Sequence, residues 1–187
     1  PKPSSAASDV YKRQIIAEDF DEAKAAVNTI MEDKIFGSSG LNVVIEEYLI
    51  GPEVSVLCFT DGKTISPMVT SMDHKRANDN DEGLNTGGMG TVAPNPYYTQ
   101  EISDICMEKI FIPTIEAMNS ENRKFKGCLY FGLMLTEEGP KVIEYNCRFG
   151  DPETQVVLPL LDTDLLTVYE AVIDEKLEDI DLSLIHI

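Results

Sequence analysis

The sequence predicts an α+β domain built on a mainly antiparallel sheet flanked by helices. Three observations carry that expectation. Residues 53–60 and 64–69 are β-branched and apolar runs separated by Asp61-Gly62, a strong hairpin signal. Residues 127–135 and 141–145 form a second pair, joined by the turn sequence Glu137-Glu138-Gly139-Pro140. Helical stretches stand between and after these pairs, without the regular alternation that marks a parallel sheet.

The elements follow in order. Asp19 suits a helix cap, with Glu22 completing a capping box. Phe20, Ala23, Val27, Ile30 and Met31 then recur at helical spacing. Gly37 to Gly40 breaks the helix, and residues 42–49 read as a strand ending at the Gly51-Pro52 turn. Residues 72–90 are polar and glycine-rich with no apolar period, so a long functional loop is expected there. Residues 99–118 carry Ile102, Ile105, Cys106, Ile110 and Ile115 on one helical side, and Pro113 should bend that helix. Residues 153–161 and 164–175 read as two more helices, the second capped by Thr163 or Asp164. No internal repeat or low-complexity segment interrupts the pattern.

The two ends look foreign to this fold. Residues 182–187 can be written in codons as CTG TCT CTT ATA CAC ATC, whose reverse complement translates as the sequence of residues 9–14. One DNA element, read from opposite strands, accounts for both ends. It resembles a transposon end used as a library adapter. Residues 1–14 and 182–187 are therefore set aside as adapter-derived tails. Residues 15–181 are expected to be an internal piece of a longer protein.

The chain has 187 residues, with 15 basic against 33 acidic side chains and a formal net charge of −18. Such acidity argues against a nucleic-acid surface and against an anionic membrane. The few cations near polar motifs gain weight accordingly. Cys58, Cys106, Cys128 and Cys147 show no paired spacing, and outside the tails His74 is the only histidine. A zinc site is not expected, and the four cysteines, with their apolar neighbours, read as buried thiols in a reducing cytoplasm. No apolar run reaches the ~20 residues of a membrane span.

The densest chemistry lies in residues 141–153. Glu144, Asn146 and Arg148 fall at period two, so on a strand they share a face. A carboxylate and an amide oxygen suit a hard cation such as Mg²⁺. An arginine beside them can fork onto a phosphate or carboxylate. Gly150-Asp151-Pro152 then turns the chain. A cation site, an anion clamp and a turn within ten residues are the chemistry of a nucleotide-phosphate site. Lys75 and Arg76, two cations in so acidic a chain, also suggest a phosphate partner. Residues 85–90, Asn-Thr-Gly-Gly-Met-Gly, can bring backbone N–H groups to an anion.

Three segments together carry a family resemblance: Val44-Ile-Glu-Glu-Tyr-Leu49 with Gly51-Pro-Glu53, Asp73-His-Lys-Arg76 with the 85–90 block, and Glu144-Tyr-Asn-Cys-Arg-Phe-Gly-Asp-Pro-Glu-Thr-Gln155. The chain resembles the ATP-grasp domain of the phosphoribosylamine–glycine ligases, over residues 15–181. The resemblance implies an ATP-grasp fold truncated at both ends, with residues 15–41 a remnant of the small subdomain and 42–181 the large one. It implies ATP-dependent ligation of glycine to 5-phosphoribosylamine through glycyl phosphate, with Mg²⁺ or Mn²⁺, in the cytoplasm. Glu144 and Asn146 would be the metal ligands. Arg148 would sit by the transferred phosphate, with Asp151 and Glu153 also in the catalytic set. Glu46, Glu47, Tyr48 and Leu49 would receive adenine, and Glu53 the ribose. Asp73, Lys75, Arg76, Asn85, Thr86, Gly87, Gly88 and Thr154 would contact the other substrates. His74 reads as structural.

Two departures accompany the resemblance. Leu84 stands where many relatives carry proline. The family's glycine-rich phosphate loop and ATP-binding lysines would precede Ile15, so the piece alone is expected to be inactive or very weak. Two alternatives stay open: another ATP-grasp carboxylate–amine ligase, and a nucleotide-binding module without catalysis. The Arg148–Glu153 run disfavours a carboxylase, and the Glu144–Asn146–Arg148 set disfavours a non-catalytic module.

Overall fold

The computed structural model describes residues 15–17, 19–79 and 82–185, with only the backbone of Arg76 and residues 82–85. The N-terminal stretch read as adapter-derived, residues 1–14, lies outside the described residues. The chain divides into two units, one ending at Leu49 and one beginning at Ile50.

In the first unit, α1 spans Phe20–Met31. The Asp19 carboxylate accepts the Glu22 N–H at 2.9 Å, the cap its sequence position calls for. None of its residues is fully buried: Phe20 is 80% exposed, while Ala23, Val27 and Ile30 of the apolar stripe are half-buried. A one-turn 3₁₀ segment, Gly37–Leu41, follows. Residues 42–49, expected as a strand, join no ladder among the described residues; Val44 and Ile45 are exposed. β-propensity is expressed against a cross-strand partner, and the described residues supply no ladder for this run.

The second unit is built on a four-stranded antiparallel sheet in the order β2-β1-β5-β6. The strands are β1 (Glu53–Thr60), β2 (Ile65–Pro67), β5 (Gly127–Thr136) and β6 (Gly139–Asn146). The Asp61-Gly62 turn closes the β1–β2 hairpin, with the Asp61 carboxylate accepting the Lys63 and Thr64 N–H groups at 2.9 and 2.7 Å. These bonds, with one from the Leu177 N–H, hold the Asp61 carboxyl below its usual range in spite of its burial.

Residues 72–78 and 82–92 are two paired strands, not the expected loop. β3 (Met72–Asn78) pairs antiparallel with β4 (Glu82–Val92), with register irregularities on either side of Arg76. The sequence hides these strands because their side chains are polar or absent, so no burial alternation marks them.

Both faces of the main sheet are covered. Val54, Val56, Leu129, Phe131 and Leu133 point to one side and pack on Cys106, Ile110, Phe111 and Ile115. Those residues belong to one helical stretch, made of α2 (Gln100–Cys106), a π-turn (Met107–Phe111) and α3 (Ile112–Ser120). Pro113 falls in the first turn of α3, so its missing N–H is absorbed where the helix has just been widened. The other face buries Leu57, Phe59, Cys128 and Tyr130 against Val157, Val168, Val172 and Leu177. These come from α4 (Thr154–Val157), α5 (Leu165–Asp174) and the turn after it. Asp164 caps α5 at 2.9 Å from the Thr167 N–H. The segment 182–185, set aside as foreign, takes part here: the Ile185 N–H donates to the Leu160 carbonyl at 2.8 Å and Leu182 packs on the second cluster. Among the described residues no helix is long and apolar enough to cross a membrane.

Candidate ATP and metal site

The second sheet face changes character along its length. At one end it is apolar and lies under α5. At the other, β1, β5 and β6 present a polar field in two rows. Ser55 pairs with Gly132, and Gly132 pairs with Glu144; Leu57 pairs with Tyr130, and Tyr130 with Asn146. Directly opposed residues share a face, so Ser55, Tyr130, Glu144 and Asn146 look the same way, joined by Glu53 two positions along β1.

The pair expected to bind metal is brought together. The Asn146 amide donates to a Glu144 carboxylate oxygen at 3.3 Å, and both side chains are half-buried. That arrangement leaves the amide oxygen and the second carboxylate oxygen for a cation, a donor set that fits Mg²⁺ or Mn²⁺. Among the described residues no group of three or more His, Cys, Asp or Glu is arranged to hold a metal. A two-ligand site fits a cation that completes its shell with water and phosphate oxygens. Gly132 makes the pair possible: a side chain there would press within 3.0 Å of Glu144 Cγ.

Arg148 does not join the row. The strand ends at Asn146, and the exposed Arg148 guanidinium donates to the Phe149 carbonyl at 2.7 Å. Period-two reasoning holds only while the backbone stays extended. Asp151 is also exposed and accepts from the Gln155 amide at 2.7 Å. The Thr154 hydroxyl turns back to the Gly150 carbonyl, closing the turn on itself.

Glu153 is buried instead, at 4% exposure. Its carboxylate accepts from the Tyr130 hydroxyl at 2.9 Å, with the Ser55 hydroxyl 2.7 Å from Tyr130 Oη and 3.5 Å from the carboxylate. Tyr130 spends its one proton on the carboxylate, so Ser55 donates to Tyr130. Burial and the adjoining Glu153 charge push the Tyr130 hydroxyl pKa well up, which keeps it a donor.

β3 brings a second carboxylate. Burial lifts the Asp73 pKa to about 6, and the Glu153 and Glu53 charges add to the lift while Lys75 opposes it. Lys75 itself forms an ion pair with Glu53 at 2.6 Å. The lysine expected at a phosphate and the glutamate expected at a ribose thus meet each other. The Thr86 hydroxyl accepts the Gly88 N–H at 3.1 Å. Gly88 has φ +125°, and a Cβ there would lie 2.7 Å from Pro152 Cδ, so β4 and the 150–153 turn meet where only glycine fits. Gly87 is exposed with open space around it. Arg76 and Asn85 are paired by backbone register, and their side chains lie outside the description. Glu46, Glu47 and Tyr48 are exposed and Leu49 is half-buried, all in the first unit.

Two clefts, of about 400 and 500 Å³, open elsewhere on the surface. Sequence reasoning missed Ser55 and Ser71. A signal existed for Ser55: it is a polar residue in an otherwise apolar strand, two positions from Glu53.

Residues 5–154 match the family model described as the phosphoribosylglycinamide synthetase ATP-grasp (A) domain. The chain belongs to that family. The match opens within the stretch whose codons read as an adapter. A phosphoribosylamine–glycine ligase of Caldanaerobacter subterraneus is 48% identical over 91% of this chain and 41% of its own length. The trifunctional purine biosynthetic protein adenosine-3 of Gallus gallus is 54% identical over 89% of this chain and 17% of its own. The chain thus spans well under half of the relatives it matches. The crystal structure of a phosphoribosylamine–glycine ligase from Thermotoga maritima superposes with a TM-score of 0.69 at 30% identity, over 82% of this chain and 39% of that one. An L-amino acid ligase from Bacillus licheniformis shares the fold, with a TM-score of 0.57 at 15% identity. The ATP-grasp fold expected from sequence is therefore the fold of this chain.

Proposed function

We propose that this chain is the catalytic part of a ligase that joins glycine to 5-phosphoribosylamine at the expense of ATP. In that reaction the glycine carboxylate takes the γ-phosphoryl group, giving glycyl phosphate and ADP. The amine of 5-phosphoribosylamine then displaces phosphate, giving glycinamide ribonucleotide. The observation that carries the reading is the shared orientation of Glu144 and Asn146 on an open sheet face, within a chain of this family.

A divalent cation held by Glu144 and Asn146 would supply charge neutralisation for the phosphates. The chain's own groups do the rest. Lys75, held by Glu53, offers an ammonium to the transferred phosphoryl or the sugar phosphate. Gly88, close against Pro152, lets the β4 backbone approach an anion without a side chain between. Arg148, exposed past the strand end, would contact phosphate once the site is filled, as the resemblance implies. Glu46 to Leu49 would meet adenine through backbone groups, as the resemblance implies.

The test is a chimera: residues 15–181 replace the matching stretch of the Caldanaerobacter ligase. Glycine- and phosphoribosylamine-dependent ADP release is expected, together with its loss in Glu144→Gln. A chimera that folds, binds Mg-ATP and ligates a different amino acid instead would sink the glycine assignment.

A further inference from the structure

The strand end that carries the candidate metal ligands is short and held from one side. β6 is the outermost strand of its sheet, bonded only to β5 among the described residues. The ladder slips between Gly132 and Leu133, and β6 ends at Asn146. Glu144, Tyr145 and Asn146 therefore keep their pleat with irregular backbone before and after them. The ligand face gives them little support. Glu144 lies opposite Gly132, which has no side chain, and Asn146 lies opposite Tyr130, whose proton goes to Glu153.

The far face gives more. Tyr145 stands between the two ligands in sequence and points away from both. Its ring meets that of its cross-strand partner Phe131 edge-on, with centroids 5.4 Å apart and planes at 65°. Phe131 is fully buried, and its ring lies 4.4 Å from that of Phe111 in the π-turn. The Tyr145 hydroxyl is 3.2 Å from Thr114 Oγ1, whose own proton goes to the Ile110 carbonyl at 2.6 Å, so Tyr145 donates. One side chain thus ties the end of β6 to the buried rings and to the widened turn of the covering helix.

We propose that Tyr145 is a positioning residue for the cation site: seated on Phe131, its ring fixes the pleat that turns Glu144 and Asn146 to the same side. The proposal rests on the metal role of those two residues in the ligase reading. The ring does the seating, because its burial and its edge-on contact add together, while a hydroxyl bond at an exposed position exchanges for one with water. Val142 supplies the contrast. It packs on the same core cluster but lies on the other side of the bulge, so it contributes to stability without setting the ligand pair.

The experiment is NMR on the metal-free chain, followed by titration with Mn²⁺ alone and with Mn²⁺ and ATP. In the unaltered chain the Asn146 side-chain amide should show a nuclear Overhauser contact to the Glu144 γ protons, and Mn²⁺ should broaden both residues. Tyr145→Phe should keep the contact and the affinity. Tyr145→Ala should lose the contact and bind Mn²⁺ about three- to tenfold more weakly. Val142→Ala should unfold at lower urea concentration with contact and affinity unchanged, a split that a merely structural role for Tyr145 would not give. A folded Tyr145→Ala chain that keeps both contact and affinity overturns the proposal, and so does a Val142→Ala chain that loses both. The metal-free arm separates the two readings. If Tyr145→Ala loses the contact but Mn²⁺ never reaches residues 144–146 of the unaltered chain, the seating stands and the metal role fails. If Mn²⁺ binds the unaltered and Tyr145→Ala chains equally, the seating fails and the ligase reading stands.

Discussion

Replacing Asp73 by Asn should make this chain more stable at neutral pH. The carboxyl is half-buried, carries an oxygen without a partner, and lies near the Glu153 and Glu53 charges, so its pKa rises from the ordinary carboxylate value to about 6. The folded state therefore binds the proton more tightly than the unfolded state. Whatever Asp73 contributes is fully present below about pH 4 and is lost as pH rises through 6. A shift of about two units is worth roughly 3 kcal/mol at most, and solvent screening of a half-exposed group reduces that to about 1–2 kcal/mol. Asn keeps the shape and removes the charge. Lys75 keeps its partner, since Glu53 lies 2.6 Å away. Urea unfolding of both proteins should give a gain of about 1–2 kcal/mol for Asp73→Asn at pH 7, shrinking to nothing near pH 4. A variant that is less stable at pH 7, or whose difference is flat with pH, would refute the electrostatic reasoning.

Gly88→Ala should cost about 1–3 kcal/mol in thermal or urea unfolding, because φ is +125° and the new methyl meets Pro152; Gly87→Ala, with open space around it, should cost well under 1 kcal/mol. Phe131→Ala should cost about 3–5 kcal/mol by the same measurement, since its fully buried ring lies between Phe111 at 4.4 Å and Tyr145 at 5.4 Å. Glu175→Gln should lower the melting temperature, and more at low salt than at high salt. Lys63, Lys124 and Lys126 converge on that carboxylate at 2.8, 2.7 and 3.0 Å and hold it well below the usual carboxylate range. Its contribution is present above about pH 4 and is lost as pH falls below that, so the two proteins should converge in acid.

What the sequence made legible was local. The Asp19 and Asp164 caps sit where the pattern put them, because a cap needs only a short side chain and a free N–H three residues on. The β1–β2 and β5–β6 hairpins follow from their turns and apolar runs. The misses share one cause: they depend on partners distant in sequence. Residues 42–49 have strand composition and join no ladder among the described residues. Residues 72–92 lack strand composition and are paired nonetheless, β3 against β4. Glu153 sits beside a turn and two exposed polar residues, and nothing local says that Tyr130 and Ser55, from two other strands, will bury it. Arg148 is the opposite case, since a period that predicted convergence stopped where the strand did.

The metal pair shows most clearly what sequence periodicity leaves out. Val142 packs with the first core cluster, on the face opposite to Glu144 and Asn146. Strict alternation along β6 would put 142, 144 and 146 together, and would send either a valine into the polar field or a carboxylate into the core. The ladder avoids both by slipping one residue: Gly132 pairs with Glu144 and Leu133 with Val142, so Ile143 is the extra residue of a bulge. Below the slip, β6 supplies an apolar side chain to the core; above it, the strand supplies oxygen ligands to the open face. The bulge sits beside Gly132, the one β5 position with no side chain to crowd Glu144. Deleting Ile143 removes only the extra residue: Val142 and Glu144 become neighbours in plain alternation, still opposite Leu133 and Gly132 and on opposite faces, so cation binding and the core contact should both survive. Glu144→Gln, by contrast, should weaken cation binding in a Mg²⁺ titration while leaving urea stability nearly unchanged, and loss of both properties on deleting Ile143 would refute the bulge reading.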